Sequence, residues 1–232
     1  MANEKIEKKI QKLRLKIEEF ILNDDGHIED IHKIRTSSRE VLSLLNEQKL
    51  HCVDIKKVLK LSNKIRDIDV LLTEYLIRIP KDYHEKINIL FIKEILHEER
   101  AKELMVFLDY LKEFAIENIE FLQKFQGGDK GNEKPPLSPD KKELHKYRIF
   151  IKNQLYIAKN SDPINRRKVL HLTKVKDILG EINDNYNAIK IIKSISKDKK
   201  CLKELKKYTK EQNLENYKAV QSLIEELELI YL

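Results

Sequence analysis

Two stretches of the chain repeat one pattern of charged and apolar residues: IHKIRTSSREVLSLL at residues 31–45 and LHKYRIFIKNQLYIA at residues 144–158. Each stretch holds a histidine that is followed three and seven residues later by a base. These six residues are His32, Arg35, Arg39, His145, Arg148 and Lys152. Equivalent members lie 113 positions apart. A cationic motif duplicated at fixed spacing predicts an internal repeat whose two halves face one shared anionic target.

Helical geometry places both sets of bases beside a buried face. Each residue of an α-helix turns about 100°, so the three bases of a stretch fall within about 60° of one another. An apolar stripe lies about 100° away on the same helix. Its members are Ile31, Ile34, Leu42 and Leu45 in the first stretch and Leu144, Tyr147, Leu155 and Ala158 in the second. Long side chains at such positions bury their stems and direct their charged heads into a groove.

These residue types suit phosphate as the anion. Arginine offers a planar fork of donors that forms charge-assisted, often bidentate hydrogen bonds with phosphate oxygens. Lysine adds a point charge, and histidine can donate from either ring nitrogen. The chain has nine arginines and three of them lie in the two stripes, whereas lysines are spread throughout. One copy alone would be explained as exposed helix charge, but the duplication with matching apolar flanks favours anion binding.

The composition predicts an all-helical globular protein. Of 232 residues, 37% are charged and 41% hydrophobic, with few Gly and Pro and no Trp, as is typical of helical domains. The net charge of +7 is modest, so anion binding depends on how the bases cluster. Cys52 and Cys201 lack CxxC spacing and are expected to be reduced thiols. Neither a membrane span nor a signal peptide is recognisable, so we expect a cytoplasmic protein.

Apolar residues recur at helical spacing almost throughout the chain. The stretch 82–125 is expected to form one very long helix or two. The other helices are expected at 4–22, 28–48, 53–79, 140–160, 163–196, 198–209 and 211–231. The Gly- and Pro-rich segment 126–140 is the clearest linker. We therefore expect a single domain, 1–232, of two helical bundles at 1–125 and 141–232, with roughly four helices each.

A second repeated element follows each stripe. SNKIRDIDVLL at residues 62–72 follows the first, and KVKDILGEINDNY at residues 174–186 follows the second. Their carboxylates Asp67 and Asp184 could orient the arginines or bind a metal with the histidines. The ion-pair role is favoured, because a polyanion site needs its arginines held in place. Gly180 lies inside a predicted helix, where it costs about 1 kcal/mol relative to Ala, and a close helix–helix contact would explain it.

At these residues the chain resembles the CHAD family, the conserved-histidine α-helical domain. In that family a helix of each half begins with His-x-x-Arg and continues with further bases. The first half then carries Asn-x-x-Arg-Asp-x-Asp-Val, which here reads Asn63, Arg66, Asp67, Asp69 and Val70. The second half carries Leu-Gly-x-x-x-Asp and a Lys followed by a Tyr, which here are Leu179, Gly180, Asp184, Lys152 and Tyr156. The motifs span nearly the whole chain in the family's order.

This resemblance implies two four-helix bundles related by a pseudo-twofold axis, with a basic groove or channel from both halves that binds inorganic polyphosphate. The residues implied to bind it are His32, Arg35, Arg39, Arg66, His145, Arg148 and Lys152, supported by Asp67 and Asp184. Glu40, Leu42 and Leu155 stand where the family often has bases, so the basic surface is expected to be thinner here. Three further bases are expected to be solvated surface charges, namely Lys33, Lys146 and Arg100.

The expected function is thus non-enzymatic binding of polyphosphate, without cofactor, metal or catalytic residue and with nucleic acid as a weaker competitor. One alternative is a binder of nucleic-acid backbones, although no aromatic residues interleave with the stripes. A less favoured alternative is a metal-dependent phosphohydrolase, for which no Walker loop, HExxH motif or nucleophile elbow is present. Its candidate residues would be His32, His145, Asp67 and Asp184. Association with polyphosphate granules and protein partners are left open by the sequence.

Overall fold

The computed structural model describes residues 2–23, 26–48, 50–114, 122–123, 134–159 and 163–231. Within these residues the chain is all-α, as predicted, apart from a two-residue antiparallel pairing of Leu50–His51 with Leu122–Gln123. The helices are α1 (Ala2–Asn23), α2 (Ile28–Glu47), α3 (Val53–Val70), α4 (Leu76–Arg78), α5 (Lys81–Ile87), α6 (Ile89–Glu113), α7 (Lys141–Lys159), α8 (Arg166–Ile195) and α9 (Lys199–Tyr231).

The helical run that begins with α3 extends almost to Pro80. It passes into a π-helical segment, Leu71–Tyr75, and then into the short α4. The Thr73 hydroxyl donates to the carbonyl oxygen of Asp69 at 2.8 Å at the start of this segment. The run ends before Pro80, because proline lacks an N–H and restricts the residue before it. The predicted end of this helix is confirmed, whereas the π-helical turn leaves no sign in the apolar periodicity.

Residues 82–114 form two helices, which decides between the two arrangements predicted for the stretch 82–125, whereas Leu122–Gln123 at its end is a short strand and not helical. The break falls at Asn88, whose φ of 46° and ψ of 59° are left-handed. Asn88 N–H donates to the carbonyl oxygen of His84 at 3.0 Å and so closes α5. Asparagine is one of the few non-glycine residues that accept this conformation.

Most of the predicted linker 126–140 lies outside the described residues, because 124–133 is not described. The same holds for residues 115–121 of the stretch predicted to be helical up to residue 125. After the linker, Asp140 Oδ1 accepts hydrogen bonds from the N–H groups of Lys142 and Glu143 at 2.9 and 3.2 Å. This is the usual way in which an Asp side chain satisfies the free N–H groups at a helix start.

The C-terminal part differs from the prediction. The sequence predicts separate helices at 198–209 and 211–231, whereas α9 is continuous from Lys199 to Tyr231. Thr209, at the predicted break, donates its hydroxyl to the carbonyl oxygen of Leu205 at 2.7 Å and lies inside the helix. The predicted break is therefore wrong, because no Gly or Pro interrupts the chain there.

The helices belong to two compact units. One unit contains the described residues of 1–76 and 90–128, and the other contains those of 77–89 and 129–232. Each unit therefore has four helices of seven residues or more: α1, α2, α3 and α6 in the first, and α5, α7, α8 and α9 in the second. The number of helices matches the predicted four-helix bundles. The pseudo-twofold relation between the halves stays a prediction.

Helix α5 precedes the linker in sequence but packs on α9 in the second unit. Cys201 Sγ donates to the carbonyl oxygen of Ile87 at 3.1 Å, and the rings of Tyr83 and Tyr208 have centroids 5.5 Å apart. Both cysteines of the chain are buried free thiols. Burial raises the pKa of Cys201 to about 11, so this thiol stays protonated at neutral pH and packs as a small apolar side chain.

The apolar stripes of α1, α2, α3 and α6 form the core of the first unit. The buried residues are Ile6, Leu13, Ile17, Phe20, Ile31, Ile34, Val41, Leu45, Cys52, Ile55, Val58, Ile65, Phe107, Leu108 and Leu111. The rings of Phe20 and Phe107 join α1 to α6, with centroids 5.8 Å apart. The apolar stripe predicted for α2 belongs to this core, with Leu42 packed at its edge.

The second unit has a core of the same kind. Its buried residues are Leu144, Tyr147, Ile151, Leu155, Ala158, Leu172, Val175, Leu179, Ile182, Val220 and Leu227. They come from α7, α8 and α9, so the whole apolar stripe predicted for α7 is buried. The basic residues beside that stripe are therefore attached to a fixed helix face.

Gly26, between α1 and α2, is expected to be intolerant of a side chain. Its φ of 60° is left-handed, and a Cβ there would collide with Leu104 Cδ2. We expect Gly26→Ala to lower the free energy of unfolding by about 2 kcal/mol, measured by urea denaturation. The control is Gly180→Ala, because Gly180 lies in α8 with ordinary space around its Cβ position, where Ala is favoured by up to about 1 kcal/mol. Equal stability of Gly26→Ala and the wild type would contradict this reading.

Candidate anion-binding site

On α2 the structure buries the central base of the first stripe and exposes the outer two. Arg35 is 8% exposed, whereas His32 and Arg39 are exposed. Arg35 Nη2 donates to Asn63 Oδ1 of α3 at 2.7 Å. Since Asn63 belongs to the repeated element that follows the stripe, the two motifs meet at this hydrogen bond.

The Arg35 guanidinium is incompletely satisfied. Its Nε and Nη1 atoms are buried and have no hydrogen-bond partner among the described residues. Burial is the main cause that lowers the pKa of Arg35 to about 10, and the nearby positive charges of Arg39 and Arg66 lower it further. The negative charges of Asp67 and Asp69 act in the opposite direction and raise this pKa. Arg35 is therefore still charged at neutral pH, with two buried nitrogens that could donate to a further acceptor.

The first unit thus brings together several of the predicted site residues. Arg39 and Arg66 act on Arg35 as like charges, and Asp67 acts on it as an opposite charge. Arg66 Nη2 also lies 3.4 Å from Glu74 Oε1, in a pair that is partly exposed on both sides. Three arginines around one point repel one another, so a bound polyanion would relieve that repulsion.

On α7 the second stripe shows a similar gradient of exposure. His145 and Lys152 are exposed, whereas Arg148 is half-buried, with a buried Nε atom that has no hydrogen-bond partner in the described part of the chain. His145 and Arg148 line one small cavity. Its other lining residues are Lys141, Leu144, Leu179, Ile182, Asn183 and Tyr186. Lys152 does not line this cavity.

Gly180 and Asn63 occupy equivalent places, each four residues before the Asp of its repeated element. In the first unit this place gives Arg35 a hydrogen-bond acceptor. In the second unit the nearest atom to a Cβ at Gly180 would be Arg148 Nη2, at 3.7 Å. Since 3.7 Å is an ordinary contact distance, the close helix–helix approach expected at Gly180 is not seen among the described residues.

The two predicted supporting carboxylates differ in what the structure shows. Asp67 lies close enough for its charge to favour the charged form of Arg35. Asp184 Oδ1 accepts a hydrogen bond from Asn183 Nδ2 at 3.3 Å, and its role as a support of Arg148 stays a prediction.

Glu40 stands where a base would be expected, and α1 neutralises it. Lys9 Nζ lies 2.6 Å from Glu40 Oε2. This hydrogen bond holds the pKa of Glu40 below its usual value, although desolvation acts in the opposite direction. The charges of Lys12 and Lys16 also lower this pKa. Lys16 Nζ also donates to Ser37 Oγ at 2.6 Å. Lysines of α1 therefore supply positive charge on this side of α2, which spacing along α2 alone cannot show.

Arg100 is a correction to the sequence analysis, which treats it as a solvated surface charge. Its Nε donates to Asp69 Oδ1 at 2.6 Å and its Nη2 donates to the carbonyl oxygen of Gly26 at 2.7 Å. The Asp69 side chain is 1% exposed, so this is a buried ion pair of the first unit. Lys33 and Lys146 are exposed and form i,i+3 ion pairs on their own helices.

Residues that sequence reasoning missed also lie at the second stripe. Lys141, Asn183 and Tyr186 line the cavity of His145 and Arg148. Tyr186 follows Asp184 by two residues, as Asp69 follows Asp67. Tyr186 also follows Leu179 and Asn183 at helical spacing, and this pattern could have placed it on the same face of α8.

The described residues contain neither a candidate metal site nor a candidate membrane span. Within them, no group of three or more His, Cys, Asp or Glu side chains could hold a metal ion. No helix in that part of the chain is long and apolar enough to cross a membrane. The expectations of no metal, cofactor or catalytic residue stay predictions.

The helical cores and the two basic stripes define an all-α protein with a CHAD-like fold. The crystal structure of the CHAD domain from the plant Ricinus communis is similar to this chain, with a TM-score of 0.58 and 16% sequence identity. The match covers 93% of this chain and 86% of that chain. No protein-family model matches the sequence, and no curated protein matches it significantly. The resemblance predicted from the motifs is confirmed at the level of the fold.

Proposed function

We propose that this protein binds inorganic polyphosphate through the basic faces of α2 and α7, together with Arg66 of α3, and catalyses no reaction on it. The observation that carries the proposal is the Arg35 guanidinium, charged and buried with two nitrogens that lack partners. The resemblance of the motifs to the CHAD family supports polyphosphate as the anion. The proposed binding residues are His32, Arg35, Arg39, Arg66, His145, Arg148 and Lys152.

The chemistry of the two faces fits a polymer of phosphate better than a single phosphate. Each face has one central arginine, buried in α2 and half-buried in α7, and exposed bases on neighbouring turns, so successive phosphate units could each meet a cation. Each phosphate presents oxygens that accept charge-assisted hydrogen bonds from a guanidinium. A flexible polymer needs no particular arrangement of the two faces, because each face binds a separate part of it.

Binding should be strongly salt-dependent. By analogy with single-stranded nucleic acids, log affinity falls by about 0.7 per log unit of salt for each phosphate contact. Five contacts, from Arg35, Arg39, Arg66, Arg148 and Lys152, would give a slope of about −3.5. Isothermal titration with long-chain polyphosphate across salt concentrations measures this slope. Pyrophosphate, which can contact one face only in part, is the control with a shallower slope, and a flat dependence for the long polymer would contradict the proposal.

Two further measurements separate this proposal from its competitors. Single-stranded RNA of matched charge is expected to compete weakly at the same salt concentration, and tighter binding of RNA would overturn polyphosphate as the ligand. Incubation of the protein with polyphosphate and Mg²⁺ or Mn²⁺ is expected to release no phosphate. Sustained release of phosphate would show a phosphohydrolase instead.

A further inference from the structure

The second unit contains a larger cavity beside the one at Arg148, with a volume of about 580 Å³. It is lined by residues of α7, α8 and α9 and by Pro139, two residues before α7. Lys141, Leu144 and Tyr186 line both cavities, so the two spaces are adjacent. A volume of this size is within the range of small-molecule binding sites.

The wall of the larger cavity is apolar and partly aromatic. Its apolar lining residues are Pro139, Leu144, Tyr186, Ile189, Leu214 and Tyr217. The Leu214 side chain is 54% exposed, although it faces a concave surface where an occupant would cover it. Polyphosphate alone cannot use such a wall, because it has no apolar part. The wall therefore indicates a ligand with an apolar or aromatic group.

The rim of the same cavity is cationic. Five lysines from three helices line it: Lys141, Lys190, Lys193, Lys206 and Lys210. No Asp or Glu is among the described residues that line the cavity. Five like charges around one space attract a multiply charged anion much more than a singly charged one. A simple carboxylate would leave most of this charge uncompensated.

Two polar features inside the cavity suit a flat heteroaromatic group. Tyr186 lines the cavity, and Lys141 Nζ lies over one face of its ring, 5.1 Å from the centroid. Asn213 accepts a hydrogen bond from Asn185 Nδ2 through its Oδ1 atom at 2.8 Å, which fixes its amide and leaves its own N–H groups to donate. A nucleobase has both a ring to stack and ring nitrogens or carbonyl oxygens to accept.

We propose that this cavity binds a nucleoside oligophosphate, with the base against Tyr186 and Leu214 and the phosphates among the lysines. The inference goes beyond the proposed polyphosphate binding, because it assigns recognition of a base to a separate cavity. Since the two cavities share Lys141 and Tyr186, such a nucleotide would also compete with polyphosphate at Arg148.

The test compares ATP with tripolyphosphate by isothermal titration at one salt concentration and with EDTA present. Stacking and burial of the base should make ATP bind about tenfold more tightly than tripolyphosphate. Leu214→Asp, which puts a negative charge into the wall, should abolish this preference, and Tyr186→Leu should reduce it. The matched control is Leu170→Asp, because Leu170 is 55% exposed on α8 and does not line the cavity. It should leave the preference unchanged.

Several results would overturn the inference. The inference is wrong if ATP does not bind, or if ATP and tripolyphosphate bind with equal affinity. It is also wrong if the Leu170→Asp variant loses the preference for ATP. Tighter binding of dodecyl phosphate than of ATP would show a site for an amphiphile. Long-chain polyphosphate binding, measured in parallel with the Leu214→Asp variant, keeps the two proposals distinguishable. An ATP preference that persists when the arginines of the stripes are replaced supports the cavity, whatever becomes of the polyphosphate site.

Discussion

Replacing both Arg35 and Arg148 with alanine is expected to weaken binding of long-chain polyphosphate about 100-fold or more. Each guanidinium has at least one buried nitrogen without a partner among the described residues. A hydrogen bond from a charged donor contributes about 1.5–3 kcal/mol, which is about tenfold or more for each arginine. The slope of log affinity against log salt should also become shallower by about 1.4, for two lost contacts. Isothermal titration measures both quantities.

The matched control removes the same two charges elsewhere. Arg166 and Arg167 are exposed at the start of α8, and Arg166→Ala/Arg167→Ala is expected to change the affinity by less than about threefold. If both double variants lose affinity equally, binding reflects net charge and the assignment to the two stripes is wrong.

A further variant separates loss of binding from loss of folding. Arg35→Met replaces a buried charge with an apolar side chain of similar length, a change that is often neutral or stabilising. Burial and the charges of Arg39 and Arg66 already lower the pKa of Arg35, so its charged form is disfavoured by folding. We expect an unfolding temperature no lower than that of the wild type, measured without ligand, together with weaker binding of polyphosphate. A strongly lowered unfolding temperature would show that Arg35 serves stability.

The fold could be predicted from the sequence wherever local chemistry decides it. Apolar periodicity predicts most of the helices, and the proline after α4 predicts where a long helical run ends. The sequence does not decide whether the helix breaks at Asn88, because asparagine accepts both helical and left-handed backbone. The membership of α5 in the second unit could not be predicted, since it depends on contacts of Ile87 and Tyr83 with Cys201 and Tyr208, more than 110 residues away.

The positions of the two central arginines on their helices could be predicted from the sequence, but the residues that surround them could be predicted only in part. Helical angles placed Arg35 and Arg148 beside the core, and both have buried nitrogen atoms. Angles on one helix cannot show what another helix contributes. The lysine of α1 that pairs with Glu40 and the Tyr186 ring near Arg148 both come from other helices. The lysines that α1 contributes near α2 and the aromatic wall beside α7 could therefore not be predicted from the sequence.

The buried pair of Arg100 and Asp69 is the strongest candidate for a stability determinant of the first unit. Asp69 Oδ2 already lacks a hydrogen-bond partner among the described residues, so the carboxylate depends on Arg100 at its other oxygen. The same guanidinium holds the carbonyl oxygen of Gly26, and so connects α6, α3 and the segment before α2. Burial of two charges is costly, and removal of one partner leaves the other charge uncompensated.

Arg100→Met is therefore expected to lower the free energy of unfolding by about 3–5 kcal/mol, measured by urea denaturation. The control is Lys64→Met, because Lys64 pairs with Glu103 of the same α6 helix at 2.9 Å but is 58% exposed, and such surface pairs contribute about 1 kcal/mol or less. If charge burial is the cause, Arg100→Met/Asp69→Asn should recover much of the loss, since the second change removes the unpaired charge. If Arg100→Met lowers the free energy of unfolding by the same amount with Asp or with Asn at position 69, the ion pair is not the determinant. The effect would then come from the Gly26 contact and from packing of the Arg100 stem.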